Sequence, residues 1–107
     1  MHSQIFNGLL KQKDMTKADI VNEISKNTGI EKLVVQKSVE SFIEIIKKSL
    51  ENGEGVYLRG FGSFIIKTRA QKTARNISKN VTITIPAHKI PYFKPAKVFV
   101  DSVKNNN

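Results

Sequence analysis

Between Gly55 and Val100 the chain carries nine basic residues and no Asp or Glu. Five of them, Lys67, Arg69, Lys72, Arg75 and Lys79, crowd into the stretch KTRAQKTARNISKNVTITIP, residues 67–86. Elsewhere the charges cancel: residues 1–54 hold eight Lys against eight acidic residues, and residues 101–107 hold Asp101 and Lys104. The net charge of +9 over 107 residues is therefore the charge of one segment. Cationic side chains with no carboxylate among them suit one kind of chemistry, the electrostatic capture of a polyanion. A basic surface kept only for solubility usually mixes signs.

Other chemistries find little support. The chain has no Cys, which rules out a disulfide framework, a thiolate metal site and a thiol nucleophile, and which fits a reducing cytoplasm. Its two His are His2, near the start, and His88, beside prolines with no carboxylate close in sequence; His88 reads as a surface residue. The Gly60-Phe61-Gly62 stretch has neither the G-x-G-x-x-G spacing nor a Gly-Lys-Ser/Thr ending, and it leads into a strand. Its glycines suit a tight turn with close backbone approach. No enzyme activity, cofactor, metal or small-molecule substrate is expected. No apolar run approaches the roughly 20 residues needed to span a bilayer, so no membrane partner is expected either.

The elements that must position the basic stretch follow in order. Residues 1–14 show no period and read as a disordered extension ahead of Met15, leaving one domain over 15–107. Thr16 with Asp19 three residues on makes a capping box, Ile20, Val21 and Ile24 form an apolar face, and Gly29 supplies a left-handed stop. A longer helix is expected from about Glu31 to Asn52, with Val35, Val39, Phe42, Ile43, Ile46 and Leu50 repeating at three and four residues. As a groove-reading helix-turn-helix this pair would be poor, because its Lys are matched by Glu. Val56 to Leu58 reads as a strand. Phe64 to Arg69 reads as a strand leaving the core, Asn76 to Asn80 as a turn, and Val81 to Ile85, which alternates apolar and Thr, as the strand that returns. Pro86, Pro91 and Pro95 punctuate a non-helical passage, and Ala96 to Lys104 reads as a short final helix.

Gly60-Phe61-Gly62-Ser63-Phe64, Ala74-Arg75-Asn76, Ile85-Pro86-Ala87 and Phe93-Lys94-Pro95, in that order and spacing, resemble the HU/IHF family of bacterial histone-like DNA-bending proteins from Met15 to Lys104. The resemblance implies an α+β fold and an intertwined dimer. Its helical base would be a two-helix hairpin plus a short C-terminal helix, and a three-stranded antiparallel sheet would extend into a β-ribbon arm at about residues 65–86. It implies a nucleoid-associated, cytoplasmic protein that binds double-stranded DNA in the minor groove with little sequence preference, favouring bent, nicked or junction DNA. By charge and analogy, Arg75 and Asn76 would enter the groove, Lys67, Arg69, Lys72 and Lys79 would line the arm, and Lys17, Lys94 and Lys97 would touch flanking phosphates. The family tip usually reads Arg-Asn-Pro with a glycine in the turn. Here Ile77 follows Asn76, and Ser78-Lys79-Asn80 has no glycine. Ile is among the apolar residues that can insert between base steps.

Two amphipathic helices and three short strands make a thin core for one chain, and domains this small commonly need extra burial. Phe42, Ile43, Ile46, Phe61, Phe64 and Phe93 are the expected dimer core, in a homodimer or a heterodimer with a paralogue. A site-specific, IHF-like bending subunit is the alternative within DNA binding. A basic module that docks an acidic protein partner is the alternative outside it.

Overall fold

A computed structural model describes residues 14–106; the segment read above as an extension lies, up to residue 13, outside the described residues. The element order is α1 (Lys17–Thr28), α2 (Lys32–Glu51), β1 (Val56–Leu58), β2 (Gly62–Arg69), β3 (Lys72–Asn76), β4 (Val81–Ile85), β5 (His88–Pro95) and α3 (Lys97–Asn105). The chain divides into two compact units, with the boundary inside α2 after Phe42.

In the first unit the start of α1 is fixed by the expected capping box. The Asp19 amide donates to Thr16 Oγ1 at 3.2 Å and the Thr16 amide donates to Asp19 Oδ2 at 3.0 Å, which satisfies two of the donors a helix start leaves unpaired. Gly29 ends the helix at φ 76°, its amide bonded to the Ser25 carbonyl at 2.9 Å. The Lys17 ammonium reaches Glu40 on α2 at 3.1 Å. Val21 and Val35 are the buried apolar residues of this unit, 4% and 3% exposed.

In the second unit the end of α2 is closed by the Glu54 amide on the Ser49 carbonyl at 2.9 Å and by Ser49 Oγ on the Glu54 carbonyl at 3.0 Å. The sheet order is β1-β2-β5, all antiparallel, with Phe64 opposite Phe93. Ring centroids lie 4.9 Å apart for Phe64 and Phe93, 5.0 Å for Phe61 and Phe93, and 5.5 Å for Phe61 and Phe99 of α3, within the favourable range for tilted aromatic pairs. The Phe61 carbonyl also accepts the Ala96 amide at 2.9 Å, which pins the β1–β2 turn to the start of α3. Gly62 makes the close approach possible. A Cβ there would lie 2.6 Å from both the Lys94 carbonyl oxygen and Phe93 Cζ.

The strand pairing differs from the sequence reading. β2 pairs not with 81–85 but with β5, from Gly62 opposite Pro95 to Arg69 opposite His88. The returning strand expected at Val81–Ile85 is β4, and its partner is β3, which runs through the polar middle of the basic stretch. Apolar alternation marks strands that bury a face, and β3 has little to bury. It is ordered by backbone pairing carried outward from β2 and β5. The proline-rich passage is itself a strand, and β5 tolerates Pro91 and Pro95 because it is an edge strand, where a missing donor breaks no second ladder.

Candidate nucleic-acid interface

The β2–β5 pair and the β3–β4 hairpin form one ribbon interrupted once. Arg69 pairs with His88 and Lys72 with Ile85, so two residues on each side, 70–71 and 86–87, are unpaired and the register carries through. Pro86 lacks a backbone donor, which accounts for part of the gap. His88 Nδ1 lies 2.9 Å from the Pro86 carbonyl oxygen across it. His88 is exposed, as the sequence reading expects.

Strand register sorts the basic residues by face. On β2, Lys67 and Arg69 share a face, and the Lys67 ammonium rests 4.2 Å from the centre of the Tyr92 ring, a cation–π contact. On the distal hairpin Arg75 shares a face with Thr73, Thr82 and Thr84. Lys72 lies on the other face, with Ala74, Val81, Ile83 and Ile85. The five cations are all exposed, but they do not form a single row.

At the tip, residues 77–80 form the turn, as the sequence predicts. Asn76 Oδ1 accepts from Ser78 Oγ at 3.1 Å and from the Lys79 amide at 3.3 Å, a side-chain-stabilised turn. The left-handed position that a glycine commonly fills is taken by Asn80 at φ 54°. Ile77 is 88% exposed, the highest value among the large exposed apolar residues described.

Lys94 and Lys97 line one hollow of about 620 Å³ together with Ser63 and Arg59. Arg59, in the turn between β1 and β2, was not singled out in sequence. The signal for it was available, a basic residue beside a tight turn within the acid-free segment. Lys97 also bonds Asp101 one turn on in α3, at 3.1 Å. Lys17 belongs to the helical unit. Its hydrogen bond holds the Glu40 carboxyl below the ordinary value of 4.5, with the Gln36 amide as a second cause. Among the described residues no cluster of His, Asp or Glu could hold a metal ion, and no helix is long and apolar enough to cross a membrane.

The bacterial DNA-binding protein family model matches residues 15–104. The chain belongs to that family. It is 36% identical over 90 residues to the DNA-binding protein HU of Geobacillus stearothermophilus, spanning 84% of this chain and all of that one. It is 37% identical over 93 residues to the HU of Thermus thermophilus, spanning 87% and 96%. The HU of Anabaena in a cocrystal with DNA superposes with a TM-score of 0.78 at 29% identity, over 83% of this chain and 97% of that one. The α+β architecture of helices, antiparallel sheet and β-arm is thus the HU fold, as the motifs imply. HU-family membership covers both units described above and the whole ribbon.

Proposed function

We propose that this HU-family chain is an architectural protein of the bacterial nucleoid that binds duplex DNA with little sequence preference and bends it. The observation that carries the reading is the ribbon itself, an acid-free cationic hairpin that ends in an exposed isoleucine. Lys67, Arg69, Lys72, Arg75 and Lys79 supply charge to phosphates from both faces, and Asn76 and Arg75 approach the groove at the tip. Lys94, Lys97 and Arg59 offer a second cationic patch to flanking backbone, and Lys17 a third. Such contacts respond to charge and deformability rather than base edges. Ile77 is positioned to enter a base step and unstack it, as apolar wedges of minor-groove benders do.

The working unit is a dimer of this chain. No large side chain is fully buried among the described residues, while Phe42 is 50% exposed and Ile43, Ile45 and Phe61 are also uncovered. Of the remaining residues expected at a dimer core, Phe64 and Phe93 are half-buried and Ile46 is already buried within the chain. A second copy would cover the exposed aromatic and aliphatic groups and present two arms related by a two-fold axis, the arrangement a clamp on a bent duplex needs.

The test is a gel-shift series on linear, nicked and four-way-junction DNA across salt. With about eight phosphates neutralised, log K should fall against log salt with a slope of about −7, at roughly −0.9 per phosphate. Nicked and junction DNA should be retained to higher salt than linear DNA. A slope near zero, or equal affinity for heparin, would favour a protein-docking module instead.

A further inference from the structure

The tip holds one contact that neither charge nor fold requires. Asn80 is the one non-glycine residue with positive φ among those described. Its side-chain oxygen accepts a hydrogen bond from Arg75 Nη2. Arg75 lies opposite Thr82, so this bond runs diagonally along one face of the ribbon toward the turn. A glycine at position 80 would give the same left-handed backbone at less steric cost. What asparagine adds is the amide oxygen on the guanidinium. Asn76 braces the other side of the turn through Ser78 and the Lys79 amide. Ile77 stands between the two braces, exposed.

We propose that Asn80 is a positioning residue for DNA deformation: by holding the Arg75 guanidinium across the turn it orders the tip and presents Ile77 as the leading side chain. The inference rests on the DNA-bending reading above and deepens it, because it separates two properties of the arm. Charge provides affinity. Order at the tip provides the ability to open an intact duplex. A wedge that is already oriented loses less conformational entropy on insertion than one that must be ordered at the same moment. That saving matters only where a base step has to be unstacked, and a nicked duplex kinks at little cost.

The experiment compares wild type, Asn80→Gly, Asn80→Asp, Ile77→Ala and the double variant Asn80→Gly/Ile77→Ala at one salt concentration. Each is titrated onto an intact duplex and onto the same duplex with a single central nick. Fluorescence transfer between the duplex ends reports the bend. For Asn80→Gly, nicked-duplex affinity should stay within about twofold of wild type. Intact-duplex affinity should fall roughly three- to tenfold, the scale of one hydrogen bond, and the bend should shrink with it. The double variant should be no worse than Ile77→Ala alone. Asn80→Asp keeps an acceptor for Arg75 at a residue type that tolerates this backbone. It should recover the wild-type ratio of nicked to intact affinity while weakening both through its added negative charge. Equal losses on both duplexes for Asn80→Gly, additive losses in the double variant, or an Asn80→Asp ratio like that of Asn80→Gly would each overturn the assignment while leaving DNA binding intact. Wild-type protein that binds neither duplex would overturn the DNA-bending reading itself, and this inference with it.

Discussion

β2 and β5 pair over eight residues and β3 and β4 over five, in one continuous register. In the inner pair Phe64 sits opposite Phe93, and Phe61 and Phe99 complete an aromatic cluster. In the outer pair Arg75 sits opposite Thr82, and Val81, Ile83 and Ile77 are exposed. The same ladder of backbone hydrogen bonds is thus supported by packing at one end and by almost nothing but itself at the other. The inner half fixes where the arm points by packing, and the outer half is ordered by its own ladder and by the side-chain braces at its tip. Substitutions in the two halves should therefore separate stability from DNA deformation.

The largest effect belongs to Gly62→Ala. The new Cβ would collide with the Lys94 carbonyl and the Phe93 ring, and urea unfolding should show a loss on the order of 3 kcal/mol, in the range of overpacked cores. A loss under about 0.5 kcal/mol would show that the inner half is looser than its geometry, and would weaken the contrast. Next, amide hydrogen exchange in β3 and β4 should be faster than in β2 and β5 by on the order of a hundredfold, because few buried contacts oppose local opening there. Added duplex should slow the outer amides selectively. Similar rates in both halves without DNA would break the comparison.

How much of this was legible in the sequence depends on what each part spends on burial. The capping box at Thr16, the stop at Gly29, the turn at Gly60 to Gly62 and the tip turn all declare themselves, because each needs particular residue types at fixed positions. The partner of β2 did not. Pro91 and Pro95 argue against a strand unless its edge position is known, and that position is a property of the folded sheet. β3 lies within the ribbon that the family motifs imply at about residues 65–86 but has no signal of its own, because a ribbon that buries no face leaves no apolar period. Arg59 and Asn80 were readable as types, but their neighbours, Lys94 and Lys97 for one and the Arg75 guanidinium for the other, are set by folding.

Ile77→Ala sharpens the contrast from the outer side. It should leave stability within about 0.5 kcal/mol of wild type, as exposed sites do. It should reduce the bend measured by fluorescence transfer more than it reduces affinity. An unchanged bend would remove the wedge from the mechanism. The smallest effect lies outside the ribbon, in the exposed Lys17–Glu40 pair. The folded-state pKa of Glu40 is depressed, so its contribution is fully present above about pH 4.5 and is lost as pH falls through the lower folded value. Glu40→Gln should narrow the stability difference between neutral and acidic pH by a fraction of the total, since exposed pairs contribute little. A large change in melting temperature at pH 7 would contradict that.

The gap in the ribbon at residues 70–71 and 86–87 removes the same number of pairings from each strand. Because the omission is matched, everything beyond it keeps its parity, and an outer hairpin of different length or tip chemistry could be spliced in there without turning any side chain on the inner strands to the opposite surface. The ribbon has, in effect, a natural seam at which new ways of gripping a duplex can be tried while the part that folds is left untouched.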